Sequence, residues 1–254
     1  MVQHNKTALV TGASRGIGRA TAAALARAGA HVLVHYGRSE REAVSVVSEI
    51  ETKGGLANAI SADLGTPNGA ALLAKQVRSI VGDRLDVLVL NAGISKSACF
   101  AEHTVEDFDS LFATNVRGPF FLVQQLLPVL GEGSNIVVIS SAAARTVAGK
   151  PALENPSLLA YASTKGAIET LVKHWAAILG PRGIRVNAVA PGVINTDMSN
   201  FAKTEAGREV TLGMQALKRI GKPEDVADVN AFLASDKARW ITGASIPVDG
   251  GSKL

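Results

Sequence analysis

Cysteine is nearly absent from this 254-residue chain, where Cys99 stands alone. One thiol closes no internal disulfide, which excludes a disulfide-stapled scaffold and suits a reducing compartment. Cys99 itself reads better as a small, partly buried apolar residue than as a nucleophile. Charge of one sign is also scarce. Lys and Arg number 26 against 22 Asp and Glu, a net of +4 with five neutral histidines. Lys218-Arg219 is the only adjacent basic pair, so no stripe for nucleic acid is present. The histidines (His4, His31, His35, His103, His174) lack metal-ligand spacing and read as surface or packing residues, so no metal site is expected. Long apolar runs are missing too. Runs such as Val87 to Leu90 and Ile136 to Ile139 fall far short of the roughly 18 residues that span a bilayer. The polar start, Met1 to Lys6, has no secretory pattern, so a cytoplasmic location is expected. The terminal Ser252-Lys253-Leu254 matches a peroxisomal address in a eukaryotic setting, although a short tail is the simpler reading.

What is present describes a globular α/β protein. Apolar residues make up 47% and charged residues 19%, enough for a core and too little charge for a disordered chain. Strand-like runs fall near Ala8–Thr11, His31–His35, Ala57–Ser61, Val87–Asn91, Asn135–Ser140, Arg185–Ala190 and Ser245–Val248. Helical segments follow near Ile17–Ala28, Ser39–Lys53, Asn68–Val81, Val105–Leu130, Leu158–Leu179 and Pro223–Ala234. Such alternation predicts a doubly wound Rossmann-type domain, with a seven-stranded parallel sheet and helices on both faces. No linker, repeat or charge block divides it, so residues 1–254 read as one dinucleotide-binding and catalytic domain. Residues Gly192 to Lys222 lack a clear period and fall at the carboxyl-end rim of the sheet, where ligands bind.

Two motifs carry chemistry. The first strand empties into Thr11-Gly12-Ala13-Ser14-Arg15-Gly16-Ile17-Gly18. Glycines there permit a tight turn and a close approach of phosphate to a helix N-terminus, although the spacing is G-x-x-x-G-x-G and only approximates the generic fingerprint. The second is Tyr161-Ala162-Ser163-Thr164-Lys165, with Ser140-Ser141 ending the fifth strand. Positions i and i+4 share a helix face. A lysine ammonium beside a phenol is expected to lower the tyrosine pKa from about 10 toward neutral, where proton transfer works. At the end of the second strand, His35-Tyr36-Gly37-Arg38-Ser39 offers no carboxylate for a ribose 2′-hydroxyl. Arg15 and Arg38, with Ser14 or Ser39, suit a 2′-phosphate instead, which favours NADP(H) over NAD(H).

Together these residues resemble the short-chain dehydrogenase/reductase family over nearly the whole chain. The family's motifs appear in order: the glycine loop, Asp63-Leu64, Asn91-Ala92-Gly93, Asn115, Ser141, Tyr161-x-x-x-Lys165 and Pro191-Gly192. The length matches the compact branch, and Lys218–Ala227 with Val248-Asp249-Gly250-Gly251 is similar to 3-oxoacyl carrier-protein reductases. The resemblance implies a catalytic set of Asn115, Ser141, Tyr161 and Lys165. Tyr161 would exchange the proton, Lys165 would hold the nicotinamide ribose, Ser141 would bind the substrate oxygen, and Asn115 would keep a water near Lys165. Asp63 and Leu64 would meet the adenine, Asn91, Ala92 and Gly93 the adenosine ribose, and Pro191, Gly192, Ile194 and Thr196 the nicotinamide. Backbone capping is the plainer role for Asn91 and Asn115.

The expected reaction is therefore NADPH-dependent reduction of a 3-oxoacyl thioester or another small ketone. An NAD(P)-dependent alcohol or sugar dehydrogenase working in oxidation is an alternative, as is a non-catalytic dinucleotide-binding protein. The resemblance also implies a homotetramer packed through Val105–Leu130, Leu158–Leu179 and the last strand. One departure stands out: nineteen residues separate Ser141 from Tyr161, more than the family commonly has. That insertion includes Arg145, Lys150, Pro151, Glu154 and Pro156. With Lys96, its cations either face an acidic substrate or are simply solvated.

Overall fold

The computed structural model describes residues 6–147 and 157–252. Lys150, Pro151, Glu154, Pro156, His4, Lys253 and Leu254 lie outside the described residues. Seven strands form one sheet: β1 (Thr7–Val10), β2 (His31–Tyr36), β3 (Leu56–Ser61), β4 (Val87–Leu90), β5 (Asn135–Ile139), β6 (Arg185–Pro191) and β7 (Ser245–Val248). Their order is β3-β2-β1-β4-β5-β6-β7, and every pairing is parallel. The strand bounds agree with the sequence expectation to within about two residues, the usual scatter at element ends.

Side chains alternate across each strand, which assigns the two faces. Leu9, Leu33, Leu88 and Ile136 join one core cluster with residues of α3 (Gly69–Val81), α5 (Gly118–Leu126) and α6 (Leu159–Leu179). Val10, Val34, Val89 and Val137 join the other, under α1 (Gly16–Arg27), α2 (Glu40–Thr52) and α8 (Pro223–Leu233). Both faces of β1, β4 and β5 are therefore apolar, and these strands are almost wholly buried, as a parallel sheet under two helical layers requires. The chain reverses its direction across the sheet between β1 and β4. At this switch point the loops beyond the strands' carboxyl ends diverge and leave a crevice. Among the described residues, no helix is long and apolar enough to cross a membrane.

Two helical expectations need correction. The single helix expected over Val105–Leu130 is interrupted. It consists of α4 (Val105–Phe112), a wide π turn at Ala113–Arg117, α5, and a 3₁₀ turn at Leu127–Val129. The π turn carries the buried Asn115, and such bulges cluster at functional sites. The aperiodic stretch Gly192 to Lys222 contains a further helix, α7 (Glu205–Met214), preceded by a 3₁₀ segment at Asp197–Lys203. Thr211 is the only residue buried along α7, so no apolar stripe marks it. Its start is fixed by Thr204, whose side chain accepts the Gly207 N–H at 3.1 Å.

Candidate active site

The glycine loop leaves β1 at Thr11. The Thr11 hydroxyl donates to the Val89 carbonyl and accepts the N–H groups of Asn91 (2.9 Å) and Ala92 (3.0 Å). The Asn91 amide returns two bonds, to the carbonyls of Thr11 (2.8 Å) and Gly12 (3.0 Å). Asn91 thus spends its side chain on shaping the loop, the capping role. Gly12 and Gly16 adopt φ of 62° and 55°, a region that favours glycine. A Cβ on Gly18 would stand 2.3 Å from the Gly12 carbonyl oxygen. The turn is thus as tight as the motif suggested. α1 starts at Gly16 with no side-chain cap and no acidic residue in its first turn, which leaves its dipole and N–H groups available to an anion.

A residue outside the expected set holds this loop. His35, 2% exposed, accepts the Gly12 N–H at Nδ1 (3.0 Å), and its Nε2 lies 2.9 Å from the Ala62 carbonyl. Both bonds form only with a neutral ring protonated at Nε2. Burial, the largest influence, lowers its pKa from 6.5 to about 4, against the opposing pull of the Ala62 bond and of Asp63. The histidine therefore packs, as expected, but packs as the link between two loops.

The expected phosphate ligands stand around the same crevice. Arg15 is mostly exposed and 3.8 Å from Asp197. Arg38, 90% exposed, lies 3.3 Å from Asp63, whose other oxygen accepts the Gly65 N–H. Tyr36 is half-buried at the end of β2, beside exposed Arg38 and half-buried Ser39; Ser14 is buried and Ile17 half-buried in the loop. Leu64 is buried under α3. On the far side Gly192 abuts Asp249, the side chain of Thr196 faces Gly16, and Ile194 is buried. A dinucleotide fits these residues, because the Cβ-free backbone at Gly12, Gly16 and Gly18 opens onto an uncapped helix terminus.

Beyond β5, Ser141 caps a 3₁₀ turn at Ala142–Ala144, its Oγ accepting the Ala143 N–H at 3.2 Å. It also hydrogen-bonds the Tyr161 side chain. Tyr161 and Lys165 lie one turn apart on α6 and are both buried. The Lys165 Nζ donates to the Ile139 carbonyl (2.8 Å) and sits 5.6 Å from the centre of the Tyr161 ring. Here the expected electrostatics are corrected. Burial pushes the Tyr161 phenol up, with the Ser141 bond opposing it, and burial lowers Lys165 from 10.5 to about 8. Burial, a tertiary effect, is the largest cause of both shifts.

Asn115 reaches this cluster from the π turn. Its Oδ1 accepts the Ile94 N–H (2.9 Å), and its Nδ2 donates to the Ile94 carbonyl (2.9 Å) and to Thr164 Oγ1 (3.1 Å). Thr164 in turn donates to the Tyr161 carbonyl at 2.6 Å. Thr164, inside the Tyr-x-x-x-Lys motif, is a second residue whose part was not expected. A Cβ on Gly93 would stand 3.2 Å from Asn115 Oδ1 and 3.7 Å from Lys165 Nζ, so this glycine backs directly onto the cluster. Ile94, Ala143 and Leu158 pack on Tyr161, Leu111 and Ala160 as an apolar wall. Lys96 pairs with Asp107 and Arg145 with Glu169. Both cations are thus half-exposed and ion-paired.

A glycine-loop crevice at the switch point of a doubly wound sheet, beside a buried Ser-Tyr-Lys cluster, defines the class as a dinucleotide-dependent oxidoreductase. A family model described as enoyl-(acyl carrier protein) reductase matches residues 12–253. The chain is 41% identical over 259 residues to versicolorin reductase 1 of Aspergillus parasiticus, covering 97% of this chain and 96% of the relative. It is 41% identical over 247 residues to the 3-oxoacyl-(acyl-carrier-protein) reductase FabG of Staphylococcus epidermidis, covering 97% and 98%. A solved angucycline C-6 ketoreductase, LanV with bound NADP, superposes with a TM-score of 0.90 at 40% identity, covering 99% of this chain and 96% of that one. The chain belongs to the short-chain dehydrogenase/reductase family and is an NAD(P)-dependent oxidoreductase acting on CH–OH and keto groups.

Proposed function

We propose that the whole chain acts as one unit that reduces a ketone with NADPH, the substrate being a 3-oxoacyl thioester or another small ketone. The observation that carries this reading is the buried cluster in which the Tyr161 phenol lies beside Ser141 and one helical turn from Lys165. A phenol held protonated at neutral pH is a proton donor, which reduction needs; oxidation needs the phenolate and therefore alkaline pH. Ser141 holds the carbonyl oxygen, Tyr161 gives that oxygen its proton, and Lys165 turns its remaining N–H groups toward the nicotinamide ribose. Asn115 fixes the Ile94 peptide against α6. When bound, NADPH supplies the hydride. Arg15 and Arg38 take its 2′-phosphate, Gly12 to Gly18 its pyrophosphate, and the Asp63 region its adenine. The relatives named as a carrier-protein reductase, a versicolorin reductase and a ketoreductase support carbonyl reduction.

A homotetramer is part of the same proposal. Phe120 and Phe121 are exposed on α5 and line an apolar groove with Phe112, Val116 and Leu171 of the neighbouring helices, a face suited to a second copy.

The test is a titration of nicotinamide fluorescence with NADPH and NADH, followed by a panel of ketones and 3-oxoacyl thioesters. Tighter NADPH binding and a loss of at least about 100-fold in kcat for Tyr161→Phe are expected. Preference for NADH, or turnover surviving in Tyr161→Phe, overturns the reading.

A further inference from the structure

Glu169 lies on α6 one turn beyond Lys165 and two beyond Tyr161, on the same face of the helix. Its carboxylate gathers three elements. Oε1 accepts the hydroxyls of Ser140 (3.1 Å), at the end of β5, and Ser245 (2.8 Å), at the start of β7. Oε2 accepts Nε of Arg145 (2.8 Å), which closes the 3₁₀ turn led by Ser141, and Arg145 Nη2 reaches the Ser245 carbonyl at 3.5 Å. The carboxylate is largely shielded, with its side chain 14% exposed. Ser141 is therefore held on both sides, through Ser140 before it and Arg145 after it, by one group on the helix that carries Tyr161. No other tie of this kind crosses from α6 to both ends of that turn in the described residues.

We propose that Glu169 is a positioning residue that sets the Ser141 loop against Tyr161, with Arg145 as its latch. Its energetic role is geometric: a hydroxyl displaced by a fraction of an ångström no longer meets the carbonyl oxygen and the phenol together. The inference rests on the roles proposed above for Ser141 and Tyr161.

The experiment compares Glu169→Ala, Glu169→Gln and Arg145→Gln with wild type and with Tyr161→Phe, on the ketone that the wild type reduces fastest. Glu169→Ala is expected to lose about 10-fold or more in kcat while NADPH affinity stays within about 2-fold. The alkaline limb of its kcat profile should move to higher pH, because Ser141 no longer opposes the burial of Tyr161. Glu169→Gln keeps an oxygen for the two serine hydroxyls but turns an amide N–H2 toward the Arg145 N–H, so it should regain kcat only to the level of Arg145→Gln. A folded Glu169→Ala with wild-type kcat and pH profile overturns the inference, as does NADPH affinity falling in step with kcat. Should Glu169→Ala fail to fold, Arg145→Gln decides, since Arg145 is half-exposed: a fall of about 3-fold in kcat at unchanged NADPH affinity supports the latch, and unchanged kcat overturns it. Tyr161→Phe separates the two readings. If it turns over like wild type, the proposed chemistry fails and the inference with it; if it is inactive and the Glu169 variants are unaffected, the inference alone fails.

Discussion

Acid should weaken this fold through His35, and a single substitution isolates the effect. The native ring titrates at about 4, against 6.5 unperturbed. Between those values the unfolded chain binds more protons than the native one, so stability rises with pH across the window. The contribution is complete above about pH 6.5 and is lost as pH falls toward 4. The full difference is about 3 kcal/mol, of which about 2 kcal/mol is already lost at pH 5. The structural cause is definite: a second ring proton at Nδ1 would face the Gly12 N–H, donor against donor, in a buried site. His35→Asn keeps one donor and one acceptor at the position and cannot titrate. It should cost about 1–3 kcal/mol at pH 7, because the shorter amide serves one loop better than the other. Denaturant unfolding at pH 7 and pH 5 gives the two differences. Carboxylates common to both proteins cancel, so the wild type should lose about 2 kcal/mol more than the variant on acidification. Equal losses would refute the assignment of acid sensitivity to this ring.

Other perturbations read different parts of the site. Lys165→Met should abolish turnover yet raise stability at pH 7 by about 1–2 kcal/mol. Keeping a buried ammonium charged costs more than the lost bond to the Ile139 carbonyl, so thermal melting should move up by a few degrees, and a lower melting point argues against this account. In the wild type the same penalty is relieved as pH rises from about 8 toward 10.5, since there the unfolded chain holds the proton that the native one has lost. Gly18→Ala would drive a methyl to 2.3 Å from the Gly12 oxygen and 2.4 Å from the Asn91 amide. It should cost about 2 kcal/mol or more and remove NADPH binding in the fluorescence titration; retained affinity would mean that the loop is not the cofactor cradle. Phe120→Glu places a charge on the exposed face of α5 and should lower the sedimentation mass, whereas an unchanged mass would move the interface elsewhere.

Legibility in the sequence followed the range of the interactions. The sheet was legible because β1, β4 and β5 are apolar on both faces, and continuous apolar runs between amphipathic helices admit few other arrangements. Gly12, Gly16 and Gly18 were legible because the backbone there excludes a Cβ. The π turn was hidden, since the apolar positions around it continue the helical pattern while Asn115 is held by the distant Ile94 peptide. α7 was hidden because it buries almost nothing. The direction of the Tyr161 shift was misread for a related reason. The i, i+4 lysine is a local feature of the sequence, whereas the burial that raises the phenol is supplied in part by Ile94, Ala143 and Leu158 from three separate segments.

His35, Asn115, Thr164 and Lys165 have one property in common: each is a buried polar residue whose hydrogen bonds go to backbone or side chains of another segment or turn. Replacing any of them by an apolar residue would spare its desolvation but strand its partner, and the stranded group is a main-chain atom of a loop for His35 and Asn115 and of the end of β5 for Lys165. The polar groups thus act on the site through the loops. His35 holds the glycine loop against the Ala62 strand end, Asn115 holds Ile94 at the apolar wall, and Lys165 holds the end of β5 just before Ser140 and Ser141. A carbonyl oxygen, a phenol and a nicotinamide can meet only if three separately connected loops keep fixed distances, and a purely apolar core would leave those distances to packing alone. The buried charge on Lys165 is the extreme case, because it both fixes the end of β5 and keeps N–H donors facing Gly93.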